Sequence, residues 1–430
     1  MSNVPAAGAA TPLCLDVDGA LLHSSLTLEC LIAALRRRPS LLLFLPFWAL
    51  GGRAVLNARI ASHSALDPAV LPYDDVVLLA ARKAAIGRPV ELVSTADEAA
   101  VRAVAEHLGF SPTVSANLSP AAKRALLDAH DSIPGRPVHL QARHVLAILR
   151  PQQWLKNTLV FLPFLLAHDL SSVHRWLSAF LAFIAFSACA STAYVFNDVL
   201  DRYQDRLHPR RRARPLASGE MPLAAALFLP IPLLAIAVAC CLFLPWQAAA
   251  VLLWYVAATA FYSAVAKERV MADVIILALL YTSRLIFGSL ATGNIVSPWL
   301  AGFSLCLFLS LALCKRVSEL MVWRSIDRAG APGRNYQADD LPVLEMMAVA
   351  SGFLACLIMT LYIQSPEILV LYRRPLLLWV GVIALLYWLG RLFIYTHRGK
   401  CPDDPLLFAL QDRTTLFVLA VAGIFVFFAI

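Results

Sequence analysis

The sequence predicts a multidomain protein: an α/β domain over residues 1–135, a linker over 136–150, and an all-α polytopic membrane bundle of about nine transmembrane helices over 151–430. Three observations predict it. The 430-residue chain is 60% hydrophobic and only 15% charged, with mean hydropathy +0.70, too apolar for a soluble chain of that length. Its apolar residues collect after residue 150 into runs approaching the roughly 20 residues that a bilayer-spanning helix needs. The first third instead alternates short apolar strands with turns and an amphipathic helix, the pattern of an α/β fold with a parallel sheet.

In chain order, the N-terminus "MSNVPAAGAATPLCLDVDGA" has no basic leader and no long apolar core, so it is not expected to be a signal peptide. Within it, "TPLCLDVDG" is a short strand running into acids and a glycine. "LLLFLPFWALGG", 41–52, holds about ten apolar residues, too few to span a bilayer, and is expected to be a buried or membrane-facing helix in an insertion. "RPVELVSTADEAAVRAVAEHLG" is a second strand, a turn and an amphipathic helix closed by Gly109. "DSIPGRPVH" is the linker.

The candidate spans run roughly over 157–170, 176–196, 222–244, 246–265, 272–292, 299–315, 343–363, 376–395 and 413–429, the first one short and interrupted by Pro163. Alternation puts the loops 197–221, 266–271, 316–342 and 396–412 on one side, and these carry most of the Arg and Lys. The positive-inside rule makes that side cytoplasmic, together with the N-terminal domain, in a multi-pass plasma (inner) membrane protein. The net charge of +8 is therefore a topology signal and gives no reason to expect nucleic acid. The nine cysteines form no CxxC pair, and most sit within apolar runs as small hydrophobes.

The chemistry concentrates in "NDVLDRYQDRLHPRRRARPLASG", 197–219. Asn197, Asp198, Asp201 and Asp205 fall at i, i+1, i+4 and i+8, on one face of a helix continuing from the second span. Carboxylates so crowded repel one another unless a cation is present, and magnesium favours one or two carboxylates with substrate phosphates. The bland alternative is a solvated helix end with Asp201 and Asp205 offset by Arg202 and Arg206. Arg210, Arg211, Arg212 and Arg214 could hold the loop at an anionic membrane surface, but arginine also grips phosphate bidentately. Acids for a metal beside arginines for phosphate suit a Mg²⁺-bound diphosphate.

"NDVLDRYQD" resembles the NDxxDxxxD motif of the UbiA superfamily of intramembrane transferases. "RPQQWLKN" at 150–157 and "HPRRRARPLASG" resemble the branch that makes polyprenyl-phosphate phosphoribose, with Arg211 where Lys is usual; "LALCKRVSEL" and "DDP" at 403–405 extend the resemblance over about 143–430. It implies the UbiA fold, Mg²⁺ on Asp198, Asp201 and Asp205, catalytic roles for Asp198, Asp201 and Asp273, and substrate contacts from Asn197, Lys156 and the arginine run. The second acidic motif departs from the aromatic prenyltransferases: Asp273 is present, but Leu277 stands four residues later, and Lys267, Tyr281 and Arg284 surround the site. Lys315 and Arg316 are further expected phosphate contacts. Fewer acids and more cations favour phosphoribosyl diphosphate over a prenyl diphosphate as donor.

"DVDGA" at 16–20 resembles the first motif of the haloacid-dehalogenase (HAD) superfamily, with Ala20 in place of Thr. The resemblance implies a HAD-like, Rossmannoid domain with Asp16 and Asp18 as nucleophile and acid/base, Ser94 for phosphate and Lys123 to balance charge. No strand with a following acid pair is visible for the fourth motif; Asp128 and Asp131 are nearby without one. A degenerate, vestigial site is expected.

The reading is transfer of 5-phosphoribose from phosphoribosyl diphosphate to a polyprenyl phosphate within membrane lipid. A prenyltransferase with an aromatic acceptor, and a non-catalytic lipid transporter or scaffold, are the rivals. Every expected donor ligand lies after residue 196, so removal of residues 1–135 is expected to leave transfer intact.

Overall fold

The computed structural model describes residues 12–86, 88–136, 140–168, 170–208, 211–324, 335–401, 405 and 412–430. The chain divides into two compact units, Met1–Pro151 with Tyr194–Pro232, and Gln152–Ala193 with Leu233–Ile430.

The first unit holds a small parallel sheet in the order β1 (Leu13–Asp16), β2 (Val90–Val93), β3 (Val114–Ser115). Leu13 pairs with Val90 and Asp16 with Val93, so both strands end at the same edge. On the other side of β1, Cys14 forms a parallel bridge with Ser132. Leu13, Leu15, Val90 and Leu92 of these strands pack with Leu26, Val101 and Val104 in the core. The helix Glu98–Leu108 starts on Asp97, whose side chain accepts from Ala99 N, and ends at Gly109 with φ +72°, a left-handed cap that glycine adopts freely. A second core joins Ile32 and Ile148 to Val195, Val199, Leu216 and Leu223. The α/β character expected of the first third is present as this three-stranded sheet within a mostly helical chain.

Among the described residues, seven helices are long and apolar enough to cross a membrane: Val173–Leu207, Leu223–Cys241, Trp246–Ala264, Ala272–Ala291, Pro298–Val322, Ala338–Ile363 and Pro375–His397. Two of the nine expected spans differ. Arg413–Ala429 is apolar but shorter. The stretch expected to open the bundle is a 3₁₀ run, Pro151–Phe161, followed by one α-turn, Leu162–Leu166, where Pro163 removes a backbone donor.

In the second unit, small residues allow close helix approach. A Cβ on Gly288 would lie 2.0 Å from the Val160 carbonyl oxygen, and one on Gly352 would lie 2.7 Å from the Phe393 ring.

Candidate functional site

In the first unit, the end of the helix Val173–Leu207 carries the acidic face. Asp198 and Asp205 are buried and Asp201 is half-buried. Arg214 Nη1 lies 3.1 Å from Asp198 Oδ1 and 2.7 Å from Asp205 Oδ2, bridging the two. Arg150 Nη2 lies 2.5 Å from Asp198 Oδ1, and its guanidinium sits 5.4 Å from the Tyr194 ring centroid. Arg211 is exposed, 3.9 Å from Asp205 Oδ1. That oxygen is buried without a hydrogen-bond partner among the described residues. Asp201 turns elsewhere, with Oδ1 3.7 Å from Arg36 Nη2. Asn197 is half-buried and Arg212 exposed. Arg210 lies outside the described residues.

Arg202 and Arg206 do not offset the acids on their own helix. Both reach Glu29 on the helix Leu26–Arg37. Arg202 Nη2 is 2.9 Å from Oε2 and Arg206 Nη2 is 3.0 Å from Oε1, and Ser24 Oγ donates to Oε1 at 2.7 Å. Glu29 is 2% exposed and Arg202 4%. Burial alone would raise the Glu29 carboxyl, but Arg202 and then Arg206 hold it down at about 2.

In the second unit, Asp273 is fully buried at the start of the helix Ala272–Ala291. Tyr336 donates its hydroxyl to Asp273 Oδ1 at 2.5 Å and accepts from Met271 N at 2.9 Å. Burial, and then the bond to Asp273, push the Tyr336 phenol up. Arg316 Nε lies 2.8 Å from Asp273 Oδ2, and Arg316 also pairs with Glu319. Arg316 is 1% exposed, and its Nη2 has no hydrogen-bond partner among the described residues.

A second cluster surrounds Arg284. Its Nε donates to Asn157 Oδ1 at 3.0 Å, and its guanidinium lies 4.9, 5.4 and 5.0 Å from the ring centroids of Phe186, Tyr255 and Tyr281. Lys156, also buried, places Nζ 5.8 Å from the Tyr281 centroid. Three rings and an amide thus offset the cost of burying one guanidinium. A small cavity of about 30 Å³ is lined by Leu277, Tyr281, Phe308, Leu311, Ala312 and Lys315. Lys267 is half-buried on the turn before Asp273.

The four residues expected from "DVDGA" and its partners meet at the ends of β1 and β2. Lys123 Nζ lies 2.7 Å from Asp16 Oδ1, while Asp18 Oδ2 accepts from Ser94 Oγ at 2.8 Å and Thr95 N at 2.9 Å. Burial raises the Asp16 carboxyl, with Lys123 opposing. Asp128 is exposed and Asp131 pairs with Arg88, so neither acid joins the cluster.

Against known proteins, residues 158–410 match the UbiA prenyltransferase family. The chain belongs to that family. It is 30% identical to the protein y4nM of Sinorhizobium fredii, over 96% of this chain and 90% of that one. It is 32% identical to nodulation protein NoeC of Azorhizobium caulinodans, over 62% of this chain and 87% of that one. It is also 32% identical to decaprenyl-phosphate phosphoribosyltransferase of Mycobacterium tuberculosis, over 47% of this chain and 67% of that one. Among solved structures, a UbiA homolog from Archaeoglobus fulgidus bound to DMAPP and Mg²⁺ aligns with 66% of this chain and 96% of that one, at TM-score 0.47 and 18% identity.

Members of the UbiA family are transferases, and the apolar helices make this member an integral membrane protein. Three neighbours of its charged residues escaped sequence reasoning. Arg150 opens the quoted "RPQQWLKN" and was a legible candidate there. Glu29 carries no sequence signal, being one acid in an ordinary amphipathic helix. Asn157, which closes the same motif, was not singled out as the partner of Arg284.

Proposed function

We propose that this UbiA-family transferase moves 5-phosphoribose from phosphoribosyl diphosphate to a polyprenyl phosphate. The observation that carries the reading is that guanidinium groups accompany the few acids of the candidate site. Asp198 and Asp205 share Arg214, and the fully buried Asp273 is met by Arg316. Such a balance suits a donor with more phosphate than a prenyl diphosphate carries. The identity to decaprenyl-phosphate phosphoribosyltransferase supports the same class.

The residues fit Mg²⁺ in chemistry. They are hard carboxylate donors on one helix face, and Asp205 keeps a buried oxygen without a hydrogen-bond partner among the described residues. Among the described residues no three His, Cys, Asp or Glu side chains already converge, since Arg214 stands between Asp198 and Asp205. Asp198, Asp201 and Asp205 would hold the ion, which supplies positive charge to a departing diphosphate. Arg150, Arg211, Arg212 and Arg214 bind and orient donor phosphate. Lys156, Tyr281, Arg284, Lys315 and Arg316 are further proposed substrate contacts. The bond from ribose C1 to the diphosphate oxygen breaks with the electron pair leaving on diphosphate, and an anionic oxygen of the lipid phosphate bonds to C1. That oxygen carries no proton at neutral pH, so no general base is required; catalysis is positioning and electrostatic stabilisation.

The N-terminal unit and the arginine-rich loops are assigned to the cytoplasmic side of the plasma membrane by their charge. The test is mass spectrometry of lipid products after incubating membranes with phosphoribosyl diphosphate and a C50 or C55 polyprenyl phosphate. A phosphoribosyl lipid formed only with Mg²⁺ is expected. Turnover only with a prenyl diphosphate and an aromatic acceptor would overturn the reading.

A further inference from the structure

The segment after the helix Leu26–Arg37 supplies none of the candidate site residues named above, yet its composition is unusual. It folds as a 3₁₀ turn, Pro39–Leu43, a short helix, Leu45–Leu50, and a longer helix, Arg53–Ser64. Leu41 is buried, and Leu45 and Leu56 pack against the first unit's core, so the segment is anchored. Its other side is bare: Leu42 is 61% exposed, Leu43 72%, Phe44 51%, Phe47 70% and Leu50 86%. Isolated exposed apolar residues are ordinary, but a contiguous patch of leucines and phenylalanines marks an interaction surface.

The charge around the patch selects the partner. Arg37, Arg38, Arg53 and Arg59 are exposed, and no acid lies between Glu29 and Asp67. An apolar knob flanked by exposed cations, with no acid in its own segment, complements a layer that is apolar inside and anionic at its surface. A contact within the first unit gives the level. Arg36 Nη1 donates to the Leu200 carbonyl at 3.3 Å, about one turn, or roughly 6 Å, past Phe196, the last residue of the unbroken apolar run of that helix. A bilayer that covers the run to Phe196 therefore ends close to where the exposed segment begins.

We propose that residues 42–50 form a monotopic foot that enters the headgroup region of an anionic bilayer, with Arg37, Arg38, Arg53 and Arg59 on lipid phosphates. Nine residues do not cross the membrane; they dock the N-terminal unit on it. The partner is lipid, not a second copy of the chain, because two such patches would bring like charges together.

The test uses the full chain in nanodiscs containing phosphatidylglycerol, with photoreactive p-benzoylphenylalanine in place of Phe47 or, separately, Leu50. The same label at Phe180, 52% exposed on a membrane helix, is the positive control, and at the exposed Arg102 the negative one. Lipid adducts at 47 and 50, absent at 102, are expected. Exchanging phosphatidylglycerol for a neutral lipid should lower their yield. So should Arg37→Gln, Arg38→Gln or Arg53→Gln, by about fivefold at most for each arginine, given roughly 1 kcal/mol per basic residue at an anionic surface. Adducts to a second copy would replace the proposal with a chain–chain interface. No adduct at 47 or 50 while position 180 reacts, an equal yield at 102, or a yield indifferent to lipid charge would each overturn it.

Discussion

Glu29 holds two cations that would otherwise be stranded. Its carboxylate is nearly fully buried and takes Arg202 and Arg206 from the helix that presents Asp198, Asp201 and Asp205. Removing one partner of a buried pair leaves an uncompensated charge, which typically costs about 3–5 kcal/mol. Glu29→Ala should therefore lower the unfolding temperature in detergent more than Glu29→Gln, which keeps a hydrogen-bonding side chain. A destabilisation no larger than that of an exposed acid, such as Glu98→Ala, would show the triad to be inert. The pH dependence has a definite sign. The folded carboxyl sits at about 2, below its ordinary value, so its contribution is complete above about 4.3 and is lost as pH falls toward 2. Stability measured from pH 5 to 2 should show this loss in the native chain and a smaller loss in Glu29→Gln. On the same helix, Asp198→Asn and Asp201→Asn should each reduce transfer by on the order of 10²-fold or more, the size of losing one main electrostatic stabiliser. The altered proteins should still elute as folded species. Full turnover of either in the presence of chelator would remove the metal-diphosphate reading.

Among the elements, the helix Ala272–Ala291 is held on more than one side. It presents Asp273 and Arg284 and also packs Gly288 onto the Val160 carbonyl, with room for no more than a hydrogen there. Intrinsic helix propensity would favour Gly288→Ala by about 1 kcal/mol, whereas an overpacked contact costs about 1–3 kcal/mol. With a Cβ-to-oxygen distance of 2.0 Å against backbone, the packing cost should win. Gly288→Ala is expected to lower thermal stability, while an alanine at Gly390, where a Cβ meets nothing within 4 Å, should not. A stabilised Gly288→Ala protein would mean that the helices separate at little cost. The same helix begins at Met271 with φ 65°, a conformation held by the bond from its N–H to the Tyr336 hydroxyl.

At the scale of the molecule, the first unit is not an independent appendage of the acidic helix. It contains Tyr194–Pro232 as well as the N-terminal segment, and Ile32 and Ile148 share a core with Val195, Val199 and Leu216. The shared packing argues for an outcome opposite to the one expected from the sequence, in which removal of residues 1–135 leaves transfer intact. Deleting them would expose that core and leave Arg202 and Arg206 without Glu29. The truncated protein should lose transferase activity and unfold at lower temperature. Retained activity, with a phosphoribosyl lipid formed at the native rate, would show that the acidic helix orders itself without its partner.

The membrane class, the long spans and the acidic helix are written in local pattern. Runs of apolar residues must leave water, and a period of 3.6 places Asp198, Asp201 and Asp205 on one face whatever surrounds them. The DxD, Ser94 and Lys123 cluster was legible only through the resemblance of "DVDGA" and its partners to known motifs; in the structure β1 and β2 end at the same edge, and Lys123 reaches Asp16 from the helix Pro120–Ala129. What lies opposite each charge was not legible. Arg202 and Arg206 are neighbours of Asp201 and Asp205 in sequence, yet they pair with Glu29, 173 and 177 residues away. Arg316 finds Asp273 and Arg284 finds Asn157 in the same manner. Long side chains seek whichever partner offsets their loss of water, and that partner is fixed by packing between distant segments, which no local period encodes. The sequence alone determined that this is a membrane protein with a charged helix end; only the tertiary structure decided which charges face each other, because desolvation is a property of the assembled interior.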